Sequence, residues 1–173
     1  INHHLSGEIN LPKVNCHLLA VCQLADVSLL TYLRTDQNYI YASKSQDRGE
    51  TWDIAQQTQH YHPNSALDFI RTDKGEILLV WNNNPNLGGM MKSRKVIHIA
   101  YSPDEGKTWP NVKEIERDDL NGRFAYPAII QGSDGLFHLT YTNRRKNITY
   151  VKFDLDWVKE KRMEKRKKDF FQN

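Results

Sequence analysis

This chain of 173 residues has little that betrays its role at first sight. It carries only two cysteines, Cys16 and Cys22, at an even offset on one probable strand. Extended, that spacing separates them by about 20 Å, beyond the reach of a disulfide. They read as small, buried apolar side chains and leave the compartment open. No run of 18 apolar residues occurs, so no transmembrane helix is expected, and no targeting segment is visible. Net charge is +3, and much of the excess lies between Lys159 and Lys168. Aromatics do not interleave with that run, so it reads as a solvated helix face and no nucleic-acid partner is expected. His60 and His62 share a strand face, but no third ligand stands at a metal-binding spacing. Neither metal nor cofactor is expected.

What the chain does have is a repeated octamer. Ser45-Gln-Asp-Arg-Gly-Glu-Thr-Trp52 and Ser102-Pro-Asp-Glu-Gly-Lys-Thr-Trp109 share the pattern S-x-D-x-G-x-T-W, 57 residues apart. A repeat of this period marks stacked supersecondary units. Asp47 and Asp104 are suited to capping backbone N–H groups in a turn. Gly49 and Gly106 admit positive φ, and Trp52 and Trp109 are expected to open the next strand and bury their rings beneath it.

Around the octamers the pattern is β throughout. Segments 17–24, 27–34, 38–45, 65–72, 75–82, 94–102, 124–131, 135–143 and 147–153 are rich in Val, Ile, Leu, Tyr and Thr. Asp/Gly/Asn turns separate them. Two apolar strands, a third ending in an octamer and a Trp-led fourth make one unit, which occurs twice; a third unit has three strands. The turn Ala25-Asp-Val27 carries Val where Asp73-Lys-Gly75 and Ser133-Asp-Gly135 carry Gly, implying another turn type or local strain. After Asp154, charged helix formers predict a short helix capped by Asp154 or Asp156, with Leu155, Val158, Met163 and Phe170 apolar.

The octamers resemble the Asp-boxes of the sialidase (neuraminidase) superfamily and of related BNR-repeat propellers. Phe124-Ala-Tyr-Pro-Ala-Ile-Ile-Gln131, Tyr141-Thr-Asn-Arg-Arg145, His62-Pro-Asn-Ser65 and Leu30-Thr-Tyr-Leu-Arg34 are similar to the C-terminal part of the bacterial group. The resemblance implies an all-β fold: about three four-stranded antiparallel blades of a six-bladed propeller, at about 1–58, 59–116 and 117–154, then a charged tail at 155–173. Propellers close with four to eight blades, so the missing ones are expected from another chain or from self-association, unless the chain is a fragment.

The same resemblance implies a glycosidase acting on terminal acidic sugars, hence an acidic glycan as partner. Such enzymes hold a carboxylate with arginine forks and use a tyrosine nucleophile. Carried over by local match, Arg34 and Arg94 are substrate-binding candidates, with Asn64 and Arg144 beside them, and Tyr126 is the nucleophile candidate. The family's activating glutamate would lie near Cys16 or His17, yet no acidic residue stands between Val14 and Asp26. His17, whose pKa range suits neutral pH, is the candidate base. A non-catalytic carbohydrate-binding propeller and a polysaccharide lyase using His17 or His62 with Tyr126 are the alternatives.

Overall fold

The computed structural model describes residues 7–11, 13–85 and 94–160. Eleven strands form three antiparallel sheets among them. The first sheet holds β1 (Cys16–Gln23), β2 (Leu29–Thr35), β3 (Tyr39–Ser45) and β4 (Gln56–Tyr61). The second holds β5 (Asp68–Arg71), β6 (Ile77–Trp81), β7 (Val96–Ser102) and β8 (Asn111–Arg117). The third holds β9 (Phe124–Gln131), β10 (Phe137–Asn143) and β11 (Asn147–Phe153), three strands as the spacing predicts. Helix α1 (Leu155–Lys159) follows, with Asp154 as its N-cap accepting from Trp157 N. Met163, Phe170 and most of the charged tail lie outside the described residues.

Within each sheet the strands meander in sequence order, and the first strands pack side by side, β1 on β5 and β5 on β9. The sheets therefore stack around an axis lined by β1, β5 and β9. Strand β6 explains why a half-polar alternation is missing in the middle of the chain: it is buried on both faces, and such strands read as continuous apolar runs. Ile77, Leu79 and Trp81 pack with Leu30, Tyr32, Leu67 and Phe69 between the first two sheets. Leu78 and Val80 pack with Ile97, Ile99, Phe124, Ile129, Leu139 and Tyr141 between the second and third. Beyond the third sheet nothing packs among the described residues, and Ile130, Ile148 and Tyr150 stand exposed.

Polar stitches register the sheets. Asp68 on β5 accepts from Ile129 N of β9 at 2.8 Å. Glu105 accepts from Ala25 N at 2.8 Å and from Arg71 Nε at 3.2 Å, so the second octamer ties the β1–β2 turn to the end of β5. In both octamers the aspartate accepts from the threonine N–H and hydroxyl (Asp47 with Thr51, Asp104 with Thr108), while the serine hydroxyl accepts from Gly49 N or Gly106 N at 2.8 Å. The glycines have φ of 95° and 86°. Gly106 also has no room for a Cβ, which would stand 2.5 Å from the Tyr32 hydroxyl.

These hydrogen bonds to Thr51 and Thr108 hold the Asp47 and Asp104 carboxyls down at about 2. Folded values below the unfolded ones stabilise above about pH 4 and lose that contribution as pH falls towards 2. Asp104→Asn keeps one acceptor and loses the carboxylate. It should be less stable than wild type at pH 7, with the gap closing in melts taken down to pH 2.

Three expectations need correction. Trp52 and Trp109 do not open strands, since β4 starts at Gln56 and β8 at Asn111, and both rings are half-buried. Trp109 instead stands edge-on to Tyr32 and His60, because the octamer turn is closed by its own hydrogen bonds and the chain needs further residues to regain the ladder. Cys16 is exposed, while Cys22 is half-buried and packs against the core between the first two sheets; neither forms a disulfide. Finally, Arg94 lies two residues ahead of β7.

Val27 resolves the odd turn. Leu24 N donates to Ser28 O and Val27 N to Leu24 O, the same pair of bonds made at Thr72–Glu76 and Gly132–Leu136. Val27 occupies the place of Gly75 and Gly135, with φ of 65° against their 89° and 80°. The turn type is unchanged, so the β-branched side chain is strained. Val27 is exposed, and Val27→Gly should raise the unfolding free energy by roughly 0.5–1 kcal/mol after the entropic cost of glycine, seen as a higher denaturant midpoint.

Candidate functional site

Strands alternate in direction, so every connection falls at one of two ends of the stack. The octamers and the turns at 24–28, 72–76 and 132–136 lie at one end. At the other lie the start of β1, the β2–β3 turn, the 61–68 crossing, the approach to β7, the 117–124 crossing and the β10–β11 turn. His17, Arg34, Asn64, Arg94, Tyr126 and Arg144 all belong to this second end, although they span more than 120 residues of chain.

At its centre is Asn64, in the left-handed region at φ 50°, which asparagine tolerates. Its side-chain oxygen accepts from Arg34 Nε at 2.7 Å, and its carbonyl accepts from Arg94 Nη2 at 3.2 Å. One residue thus holds two guanidiniums. Neither arginine is paired with a carboxylate among the described residues. Arg94 is 6% exposed and its Nε has no partner among the described residues. Burial, then the charge of Arg34, lowers its pKa from the usual arginine value. Asn64, a substrate-binding candidate, holds both arginines in place.

The floor is neutral. His62 is wholly buried, and burial pushes its pKa down to about 3. His62 N donates to Asn38 O at 2.8 Å, which anchors the crossing. His60 stands edge-on to Trp81 and Trp109, its pKa pushed down by burial to about 4, as a core aromatic. Arg94 is anchored from behind: Phe124 N donates to Arg94 O at 2.8 Å, and Asn82 Nδ2 donates to Val96 O at 2.7 Å and Phe124 O at 3.3 Å.

Two residues after Phe124, Tyr126 breaks the ladder. Thr140 pairs with Ala128 and Thr142 with Ala125, so Tyr126 and Pro127 together face Tyr141 in a bulge. Tyr126 has φ of 53° and its ring is half exposed. A core tyrosine needs neither, and a non-glycine residue in this region stores strain of the kind found at functional sites. It is an electrostatic neighbour of Arg94, which puts phenol and guanidinium in one neighbourhood. His17 is likewise a bulge residue: Cys16 pairs with Thr35 and Leu18 with Arg34, leaving His17 exposed across from Arg34. No hydrogen bond joins His17 to Tyr126.

Arg144 departs from expectation. Its guanidinium donates to the Asp118 carboxylate and its N–H to Arg123 O, so it braces the β10–β11 turn against the 117–124 crossing. Its neighbour Arg145 lines a cavity of about 310 Å³ with Tyr126, Thr142, Lys146, Asn147 and Ile148. Nothing in the sequence separated the two arginines; the turn register did.

Comparison with known proteins adds the fold context. A family model described as BNR repeat-like domain matches residues 6–139. A sialidase of Paraclostridium sordellii is 30% identical over 88 residues, covering 44% of this chain and 22% of that protein. Among solved structures, the intramolecular trans-sialidase of Ruminococcus gnavus, in complex with oseltamivir carboxylate, superposes with a TM-score of 0.68 at 23% identity, over 83% of this chain and 33% of that one. An α-L-arabinofuranosidase of Fusarium graminearum superposes with a TM-score of 0.59 at 18% identity, over 79% of this chain and 44% of that one. The chain thus spans about a fifth of the curated relative and a third of the trans-sialidase.

Proposed function

This chain belongs to the BNR repeat-like domain family, within the sialidase superfamily, and we propose that it binds the carboxylate of an acidic sugar between Arg34 and Arg94. Its three sheets are part of a sialidase-type β-propeller. The observation that carries the proposal is the pair of guanidiniums held by Asn64 with no carboxylate among the described residues to neutralise them. Two positive charges kept together at one end of the axis, one of them buried, call for an anion. Planar guanidiniums match a carboxylate bidentately. The arabinofuranosidase likeness suggests a neutral sugar instead, but such a ligand leaves both charges uncompensated.

Hydrolysis is a second reading, favoured by the strained exposure of Tyr126 beside Arg94. A tyrosine nucleophile attacks the anomeric carbon only when a base takes its proton and an acid protonates the leaving oxygen. Among the described residues no carboxylate hydrogen-bonds to Tyr126, and His17 is the base candidate, on axial strand β1 with β5 between it and β9. Binding therefore stands first and turnover second.

Titration calorimetry with N-acetylneuraminic acid and with its neutral methyl ester tests the proposal. The acid should bind saturably, at least about tenfold tighter than the ester, and Arg34→Ala should erase the difference. Equal affinities would overturn carboxylate recognition. Tyr126→Phe should leave binding in place and remove any turnover.

A further inference from the structure

Resting on that reading, we propose that the β10–β11 turn forms a second anion subsite, in which Arg145 receives another acidic group of the same ligand, a carboxylate or sulfate on the adjoining sugar. The turn itself is the first observation. Lys146 N donates to Asn143 O at 3.0 Å inside the three-residue connection between the paired Asn143 and Asn147, and Arg144 and Arg145 both have φ of 56°. Two successive positive-φ positions in a β-turn favour Asn and Gly, which adopt that region at little cost. This chain places two arginines there against that preference, and strain of this kind points towards function.

The two arginines are then used differently. Arg144 is spent on bracing, through Asp118 and Arg123 O. Arg145 has no carboxylate partner among the described residues and lines the cavity beside the Tyr126 ring, with Lys146 and Asn147 on the same wall. The charges of Arg123 and Arg145 join that of Arg34 in acting on Arg94. The cationic field therefore extends from the Asn64 clamp past Tyr126 to the turn. A ligand with one carboxylate occupies the clamp, and the space beyond Tyr126 suits the next residue of a chain bearing a second negative charge.

The test compares affinities of the 173-residue protein for sialyllactose, with one carboxylate, disialic acid, with two, and a sulfated sialyllactose. Disialic acid, the sulfated sugar or both should bind about tenfold tighter than sialyllactose at low salt; which of them does identifies the second group. In Arg145→Gly that ratio should fall to near one. Glycine relieves the left-handed backbone, so a loss cannot be laid to misfolding. Arg48→Gly, which removes a charge from another left-handed position (φ 62°) outside the cavity, should leave the ratio unchanged, ruling out general charge. A ratio near one in the wild type that still binds sialyllactose overturns the subsite alone. A ratio untouched by Arg145→Gly, or lost equally in Arg48→Gly, does the same. Failure to bind sialyllactose at all overturns the carboxylate clamp and the subsite with it.

Discussion

Arg94→Met is expected to lower affinity for an acidic sugar by about 100-fold, the loss of one two-pronged charged contact, without destabilising the protein. The second half of that expectation separates a binding residue from a structural one. Arg94 is buried, its Nε lacks a partner among the described residues, and burial followed by the charge of Arg34 already works against its ionised form. Methionine fills the same space without a charge to desolvate, which offsets the one hydrogen bond to Asn64 O that is lost. Thermal melts should show the variant within about 1 kcal/mol of wild type or above it. A sharp drop in melting temperature with unchanged affinity would mean that Arg94 serves the fold and not the ligand.

Trp81→Ala should produce the largest loss of stability, about 3–5 kcal/mol, enough to unfold a domain of ordinary marginal stability. Trp81 ends the doubly buried strand β6, is fully buried, and donates from Nε1 to Tyr61 O at 2.8 Å. It therefore fills the seam between the first two sheets and holds the strand end from which His62 and Asn64 depart. Trp81→Phe keeps most of the ring but leaves Tyr61 O without its donor. Its cost should be nearer 1–2 kcal/mol, and because the 61–64 crossing loosens, affinity for the acid should fall with it. Denaturant midpoints of the two variants, measured beside sugar titrations of the folded one, check both statements. An alanine variant as stable as wild type would overturn the seam as the main source of cohesion.

How legible all this was depends on the range over which each feature is decided. The octamer turns could be read from residue types because their bonds close within four residues: serine, aspartate, glycine and threonine satisfy one another locally. Trp52 and Trp109 were misplaced because their burial depends on a neighbouring sheet, not on the octamer. Val27 signalled something unusual by its β-branch, but only its hydrogen bonds distinguished strain from a new turn type. Cys22 packs against the seam between the first two sheets and is only half-buried, whereas Cys16 at the start of the same strand is exposed.

The site divides the same way. Arg34, Arg94 and Tyr126 were readable as candidates from the residues around them, whereas Asn64 as the clamp between two arginines was not. Arg144 and Arg145 are adjacent and chemically identical, and only the register of a tight turn sends one to Asp118 and the other to the cavity beside Tyr126. By itself the sequence determined strands, turns and the repeat, because alternation of apolar residues and local hydrogen bonding act over a few residues. Tertiary structure alone decided that guanidiniums far apart in the chain meet at one end of the axis, and which of them keep a free face, because those outcomes depend on how whole sheets pack and which connections share an end.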